Sequence, residues 1–331
     1  SSGNTLTSEN NETRKLTIQG GGTFTNDGTF DANDGTISLG DGSIFTNNST
    51  FNANTGSVSF SKSGTISGNT TFNDVDIAGG VDFGSDSNVN GTLTIKGGGF
   101  AVTNAPTYGS SSILNFATGG SYTIDGTTTL WTSGSSLSQQ GVPNDVKVTT
   151  TTPLNIFEAR DVTGNLTIES GASVKQGNNS FIIQGDFDNS GTYSFVNNGS
   201  NSLTVEGNFN NENNFALSNT IGGDLDLKGN FTDNGTFTAN GRAVFFTGSG
   251  SDQTVTSATD PLTINFIVID KPSNNVKMLQ NLDLPNNLEL TNGNLDLNGN
   301  TLTISGDIRP NGGNGKIEGS ANNSTLKFDD S

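Results

Sequence analysis

The chain has no cysteine and no histidine, and its 331 residues include one methionine, one tryptophan and seven prolines. Without cysteine there is no disulfide framework, no thiolate nucleophile and no thiolate zinc site. Without histidine the commonest general base and metal ligand is missing. Positive charge is scarce too: 14 Lys and Arg stand against 32 Asp and Glu, a net charge of −18. That balance argues against nucleic acid and anionic membrane surfaces as partners. Only 29% of the residues are hydrophobic, and no run approaches the ~20 apolar residues that span a bilayer, so no membrane insertion is expected. Nothing reads as a signal peptide and Ser1 is not an initiator Met; the chain reads as a mature or excised piece.

What the chain does have is glycine, 45 of them, with 21 phenylalanines set in a field of Asn, Thr and Ser. The Phe residues are phased. Phe181-Ile-Ile-Gln-Gly-Asp-Phe187, Leu203-Thr-Val-Glu-Gly-Asn-Phe209 and Leu225-Asp-Leu-Lys-Gly-Asn-Phe231 start 22 residues apart. Phe187, Phe209 and Phe231 share one register, Tyr193, Phe215 and Phe237 a second, and Phe195, Leu217 and Ala239 a third. A fixed period of this size marks a solenoid, in which each repeat buries its apolar side only against its neighbours. Inside each copy apolar and polar residues alternate, as in Leu203-Thr-Val205, which is the period of a strand with one face inward. No 3.6-residue periodicity is present.

The expected fold is therefore all-β: a right-handed parallel β-helix with coils of about 22 residues, stacked about 4.8 Å apart. The Phe registers should become buried aromatic columns. Glycines 185, 207 and 229 should occupy a corner where a Cβ would clash. Asn189, Asn211 and Asp233 are expected at a turn, where asparagine tolerates left-handed backbone and can hydrogen-bond along the stack.

Residues 1–13 read as a polar, poorly ordered segment and 14–99 as a first β-helix array. Residues 100–162 break the rhythm, with Pro106, Pro143, Pro153 and the lone Trp131, and read as irregular coils carrying longer loops. Residues 163–331 form a second array. The arrays repeat one another: Phe51 to Phe60 corresponds to Phe237 to Phe246, 186 residues on. Leu326-Lys-Phe328 repeats the Val58-Ser-Phe60 type of strand, which elsewhere leads into further coils. The chain is thus expected to be a segment of a longer array, its next coil supplied by the same polypeptide or by an identical subunit in a filament.

Gly229-Asn-Phe-Thr-Asp-Asn-Gly-Thr-Phe-Thr-Ala239 and the stretch Leu288 to Ile304 resemble the repeat regions of very large secreted surface proteins of Bacteroidota, many exported by the type IX system. Tyr122 to Val148, with Gly141-Val-Pro-Asn-Asp-Val146, resembles a recurring module of those proteins. Filamentous-haemagglutinin-like adhesins share the Gly-Asn-Phe style. The resemblance implies an extracellular, cell-surface β-helical stalk, adhesin or filament component, with a surface glycan or a host or prey cell receptor as partner. The C-terminal sorting domain of the Bacteroidota proteins is not recognisable.

The residues fit other functions less well. β-Helical polysaccharide lyases and hydrolases need carboxylates clustered with Arg or Lys. Of the four arginines, only Arg160, in Glu158-Ala-Arg-Asp161, reads as lying among carboxylates, and there a surface ion pair is the expected account. The chain is not expected to be an enzyme. An ice-binding face needs regular Thr columns, whereas Thr29, Thr50, Thr192 and Thr236 supply one per coil. No cofactor is expected, but Ca²⁺ stays open: Asp74 and Asp76, Asp186 and Asp188, and Asp224 and Asp226 alternate on outer strand faces, with Asp82 and Asp86 close to the first pair.

Overall fold

Alternation becomes geometry in the computed structural model, which describes residues 6–7, 15–196 and 201–329. In Asp74–Ile77 the side chains of Val75 and Ile77 are fully buried while Asp74 and Asp76 stay half-exposed, and this in–out pattern recurs in strand after strand. No described residue is helical, and every pairing given for the strands is parallel. The protein is a parallel β-helix, a β-solenoid. Of the polar segment 1–13, only Leu6–Thr7 lies within the described residues, as a strand paired to Phe30 and Asp31.

The chain divides into two compact units, the first made of residues up to Leu154 with Arg160–Gly164, the second of Asn155–Ala159 with the residues from Asn165 on. In the first unit one sheet runs from Lys15–Ile18 through Thr36–Leu39, Ser57–Phe60, Asp74–Ile77, Thr92–Ile95 and Ile113–Phe116 to Asp145–Val148. Each coil turns from it into a second sheet that starts at Thr23–Asn26 and ends at Phe100–Ala101. The third side is split between Thr29–Asp31 with Thr50–Asn52 and Thr70–Phe72 with its successors. Coil length is uneven. Leu16 pairs with Ile37, 21 residues on, Val58 with Val75, only 17 on, and Leu114 with Val146, 32 on. In the long step, which falls inside the stretch 100–162, residues 117–144 leave the coil and return to it.

In the second unit the strands fall on three sides again. Phe187–Asn189, Phe209–Asn211 and Phe231–Asp233 lie on one, Phe181–Ile183, Leu203–Val205 and Leu225–Leu227 on another, and Thr192–Phe195, Asn214–Ala216 and Thr236–Thr238 on the third. Two longer strands, Phe266–Met278 and Leu288–Asp296, run through a corner from one side to the next. Their pairing shifts register around Asp270 to Asn275, where Pro272 cannot donate to the ladder. There Lys271 turns inward, fully buried, and its ammonium donates to the carbonyls of Gly248 at 2.7 Å and Ser251 at 2.8 Å.

The core is columnar. The rings of Phe187, Phe209 and Phe231 stack at 5.3 and 5.0 Å, and those of Tyr193, Phe215 and Phe237 at 5.1 and 5.6 Å. The two columns meet edge to face, as between Phe209 and Phe215 at 4.8 Å. The third register, Phe195, Leu217 and Ala239, is buried as well. The glycine column is real: a Cβ on Gly229 would sit 2.1 Å from the Gly207 carbonyl oxygen, and one on Gly207 2.5 Å from the Gly185 backbone.

The asparagine column differs from its expectation. Asn189, Asn211 and Asp233 close strands rather than turns, and their side chains point inward, all but unexposed. They sit two residues after the column Phe residues, so the pleat sends both the same way. Asn189 Nδ2 donates to Asn211 Oδ1 at 2.7 Å, and Asn211 Nδ2 to Asp233 Oδ1 at 2.6 Å. The left-handed asparagines are others, among them Asn33, Asn54 and Asn240. Asn26 and Asn47 repeat the inward ladder in the first unit, at 2.8 Å.

Candidate functional site

The acidic residues singled out for Ca²⁺ are occupied with the neighbouring coil or with their own turn. Asp74 accepts the backbone N–H of Thr92 at 2.7 Å, and Asp76 pairs with Lys96 at 2.7 Å. Asp82 accepts the side-chain amide of Asn104 at 2.9 Å and the N–H of Gly84 at 3.0 Å, while Asp86 accepts the Ser85 hydroxyl. Asp186 takes the N–H of Asn208 at 2.6 Å, Asp188 the Asn210 amide at 2.8 Å, Asp224 the N–H of Ala243 at 2.7 Å and Asp226 the Thr247 hydroxyl at 2.5 Å. Among the described residues no three acidic side chains converge as ligands for a metal ion. A chelator is accordingly expected to leave the melting temperature unchanged; a fall of several degrees on adding EDTA, reversed by Ca²⁺, would show otherwise.

A pattern missed in the sequence unites these contacts. On the outer faces an Asp or Glu is followed one coil later by an Asn that donates to it: Asp27 by Asn48, Asp31 by Asn52, Glu212 by Asn234, Asp270 by Asn292 and Glu289 by Asn311. Elsewhere the next coil supplies a lysine, serine or threonine instead, as at Asp76, Asp41 and Asp226, and Glu318 accepts from Asn294 of the coil before. Stacking would otherwise bring like charges to strand spacing, which is destabilising. The amide donors make an acidic solenoid tolerable.

Inside, Asp233 ends the buried ladder. Burial pushes its pKa above the ordinary carboxylate value, and the nearby Glu212 adds to this; the hydrogen bonds from Asn211 and Gly235 act the other way. A raised folded pKa means the native state favours the protonated form. Stability is then full below the unfolded pKa and is lost as the pH rises through that value to the folded one. Asp233→Asn keeps the acceptor and removes the charge. It is expected to stabilise the second unit at neutral pH by about 1 kcal/mol, with the gain vanishing at a pH below the carboxylate range, as read from urea unfolding at both.

Arg160 does not lie at the surface, where it was expected. It is 7% exposed, and its guanidinium Nη2 donates to the backbone carbonyl of Asp125 at 2.7 Å. That contact supports the insertion of the first unit, which is tied down along its length. Tyr108 donates to the Leu130 carbonyl at 2.8 Å, the indole of the fully buried Trp131 to the Asp161 carbonyl at 2.8 Å, and Gly134 N–H to the Asp161 carboxylate at 2.7 Å. Between the insertion and the coil below opens a pocket of about 200 Å³, lined by Phe100, Tyr122, Asp125, Thr127, Thr128 and Thr129. Burial, with the Asp125 carboxylate nearby, pushes the Tyr122 phenol up to about 12, so it remains a donor at neutral pH. Asp125 is held below its ordinary value by the Thr127 hydroxyl and N–H and stays ionised.

Arg309 pairs with Asp307 at 3.1 Å in an open groove with Glu289. Asp307-Ile-Arg309 was readable as a same-face pair by strand alternation. Both partners are more than half exposed, and such pairs contribute little. The threonine column is interrupted: Thr29 pairs with Thr50, but Asn214 stands between Thr192 and Thr236.

No family model, no curated protein and no solved structure matches this chain.

Proposed function

We propose that this chain is a structural and adhesive segment of an extracellular surface protein, a β-helical stalk or filament element that spaces or displays other parts. The observation that carries it is the filled interior: in the second unit the stacked Phe columns and the Asn189–Asn211–Asp233 ladder occupy the core from coil to coil. Such cores serve stiffness, since every inward group is fixed by the coils on either side. The resemblance of Gly229 to Ala239 and Leu288 to Ile304 to secreted Bacteroidota repeat regions supports the surface location and type IX export. Its partners are neighbouring repeats of the same chain or identical subunits, and a glycan or receptor on another cell.

Single-molecule pulling tests it. Each unit should hold against force and then release in coil-sized steps; extension at the low force that stretches an unstructured linker would refute a mechanical role. A polysaccharide panel incubated with the chain should show no unsaturated product or new reducing ends. Product formation lost in Arg309→Ala would favour a carbohydrate-active enzyme instead.

A further inference from the structure

We propose that the pocket between Phe100 and the Tyr122–Thr129 segment of the first unit binds one neutral pyranose, the terminal sugar of a glycan. The inference deepens the adhesive reading and rests on it for its biological setting alone.

A pyranose offers an apolar face of C–H groups and a rim of hydroxyls, so its site needs an aromatic surface beside clustered donors and acceptors. The pocket supplies both. Phe100, an apolar ring 49% exposed, forms one wall, and Val102 at 56% exposure extends the apolar surface beside it over Gly80. The opposite wall is polar. Asp125 Oδ1 accepts the N–H of Thr127 at 2.9 Å, its hydroxyl at 2.6 Å and that of Thr128 at 3.3 Å, which leaves Oδ2 for a ligand hydroxyl. Thr129 belongs to the same lining, its hydroxyl turned away from solvent and without a hydrogen-bond partner, a cost to stability that a ligand in the pocket does not relieve.

The site is also braced. Arg160, itself buried, holds the Asp125 carbonyl, and Trp131 and Tyr108 anchor the segment that follows. Preorganised polar groups lose little on binding. Charge selects the sugar: the ionised Asp125 and a net charge of −18 disfavour a sialic or uronic acid. The volume, about 200 Å³, suits a single ring.

The test is an amide-resolved NMR titration of the whole chain with methyl β-galactoside, methyl β-glucoside, methyl α-mannoside and N-acetylglucosamine, with N-acetylneuraminic acid as the anionic control. At least one neutral sugar should shift the amides of Thr123–Thr129 saturably, with a dissociation constant of roughly millimolar order. Phe100→Ala, at an exposed position, should weaken it about three- to tenfold. Asp125→Asn keeps the side chain's size and removes the charged acceptor, and should weaken binding about three- to tenfold; unchanged binding in that variant would overturn the proposal. Thr129→Val, which removes a hydroxyl out of the ligand's reach, should leave the titration unchanged, and weakened binding there would place the site elsewhere. No saturable shift with any neutral sugar, shifts confined to other residues, or binding of N-acetylneuraminic acid alone would each overturn the proposal. The pulling result is independent of these outcomes, so the pocket can fail while the stalk stands.

Discussion

Phe209→Ala is expected to lower the stability of the second unit by about 5 kcal/mol, the top of the range for aromatic truncations in a core. Phe209 is fully buried, with Phe187 and Phe231 stacked on its two faces and Phe215 against its edge. In a globular core neighbouring side chains collapse into part of a new cavity. Here the rings above and below are pinned by their own coils at strand spacing, so the void stays open and its full cost is felt. Phe237→Ala, at a half-buried ring of the second column, should cost about half as much. Hydrogen exchange of the amides from Phe187 to Phe237 reads the effect locally, while Trp131 fluorescence reports the first unit. A cost for Phe209→Ala below about 1 kcal/mol would mean that the column is not what holds these coils.

Asn211→Leu should cost about 3 kcal/mol at neutral pH, the penalty for stranding buried polar groups. Leu keeps the branched outline of Asn but is bulkier, so part of the loss is overpacking, and the pH dependence isolates the polar part. Asn211 accepts from Asn189 and donates to Asp233, and removing it leaves the Asn189 amide with only the Asn214 carbonyl and the Asp233 carboxylate without its side-chain donor. The folded pKa of Asp233, already raised by burial, rises further because the Asn211 hydrogen bond is one of the influences lowering it. The added penalty therefore appears as the pH climbs above the unfolded carboxylate value and shrinks in acid, where the carboxyl is neutral in both states. Asn210→Leu, one residue away on the outer face with its amide on Asp188 at 2.8 Å, should cost less than about 1 kcal/mol. Equal losses at 210 and 211, or no pH dependence at 211, would refute the inward ladder. Urea unfolding at two pH values measures both.

The columns were legible because the repeat supplies its own alignment: Phe187, Phe209 and Phe231 are phased by the chain itself. Asn189 was placed in the right register and given the wrong conformation. Turn propensity was followed where strand alternation, applied from Phe187, would have turned the side chain inward. The Asp–Asn pairing was equally readable, since Asn208 and Asn210 stand 22 residues after Asp186 and Asp188. The pocket was not. Residues 117–144 have no second copy to phase them, and the contact from Arg160 to Asp125 spans 35 residues of irregular chain. Nothing local marks either end of it, and a buried guanidinium looks in sequence like an exposed one.

The outer columns set an acceptor in one coil and its donor in the next, so each coil carries one half of two junctions. An inserted copy of a coil arrives with its own carboxylate for the following Asn and its own Asn for the preceding carboxylate. Inheritance by tandem duplication then needs no compensating substitutions, and deletion of a whole coil rejoins the same two halves. Gain or loss of part of a coil keeps the columns only where a turn between strands absorbs it. Descent should therefore vary the length of such an array chiefly in whole coils, with changes of other sizes confined to the turns, as in the 17-residue step from Val58 to Val75 and the 32-residue step from Leu114 to Val146.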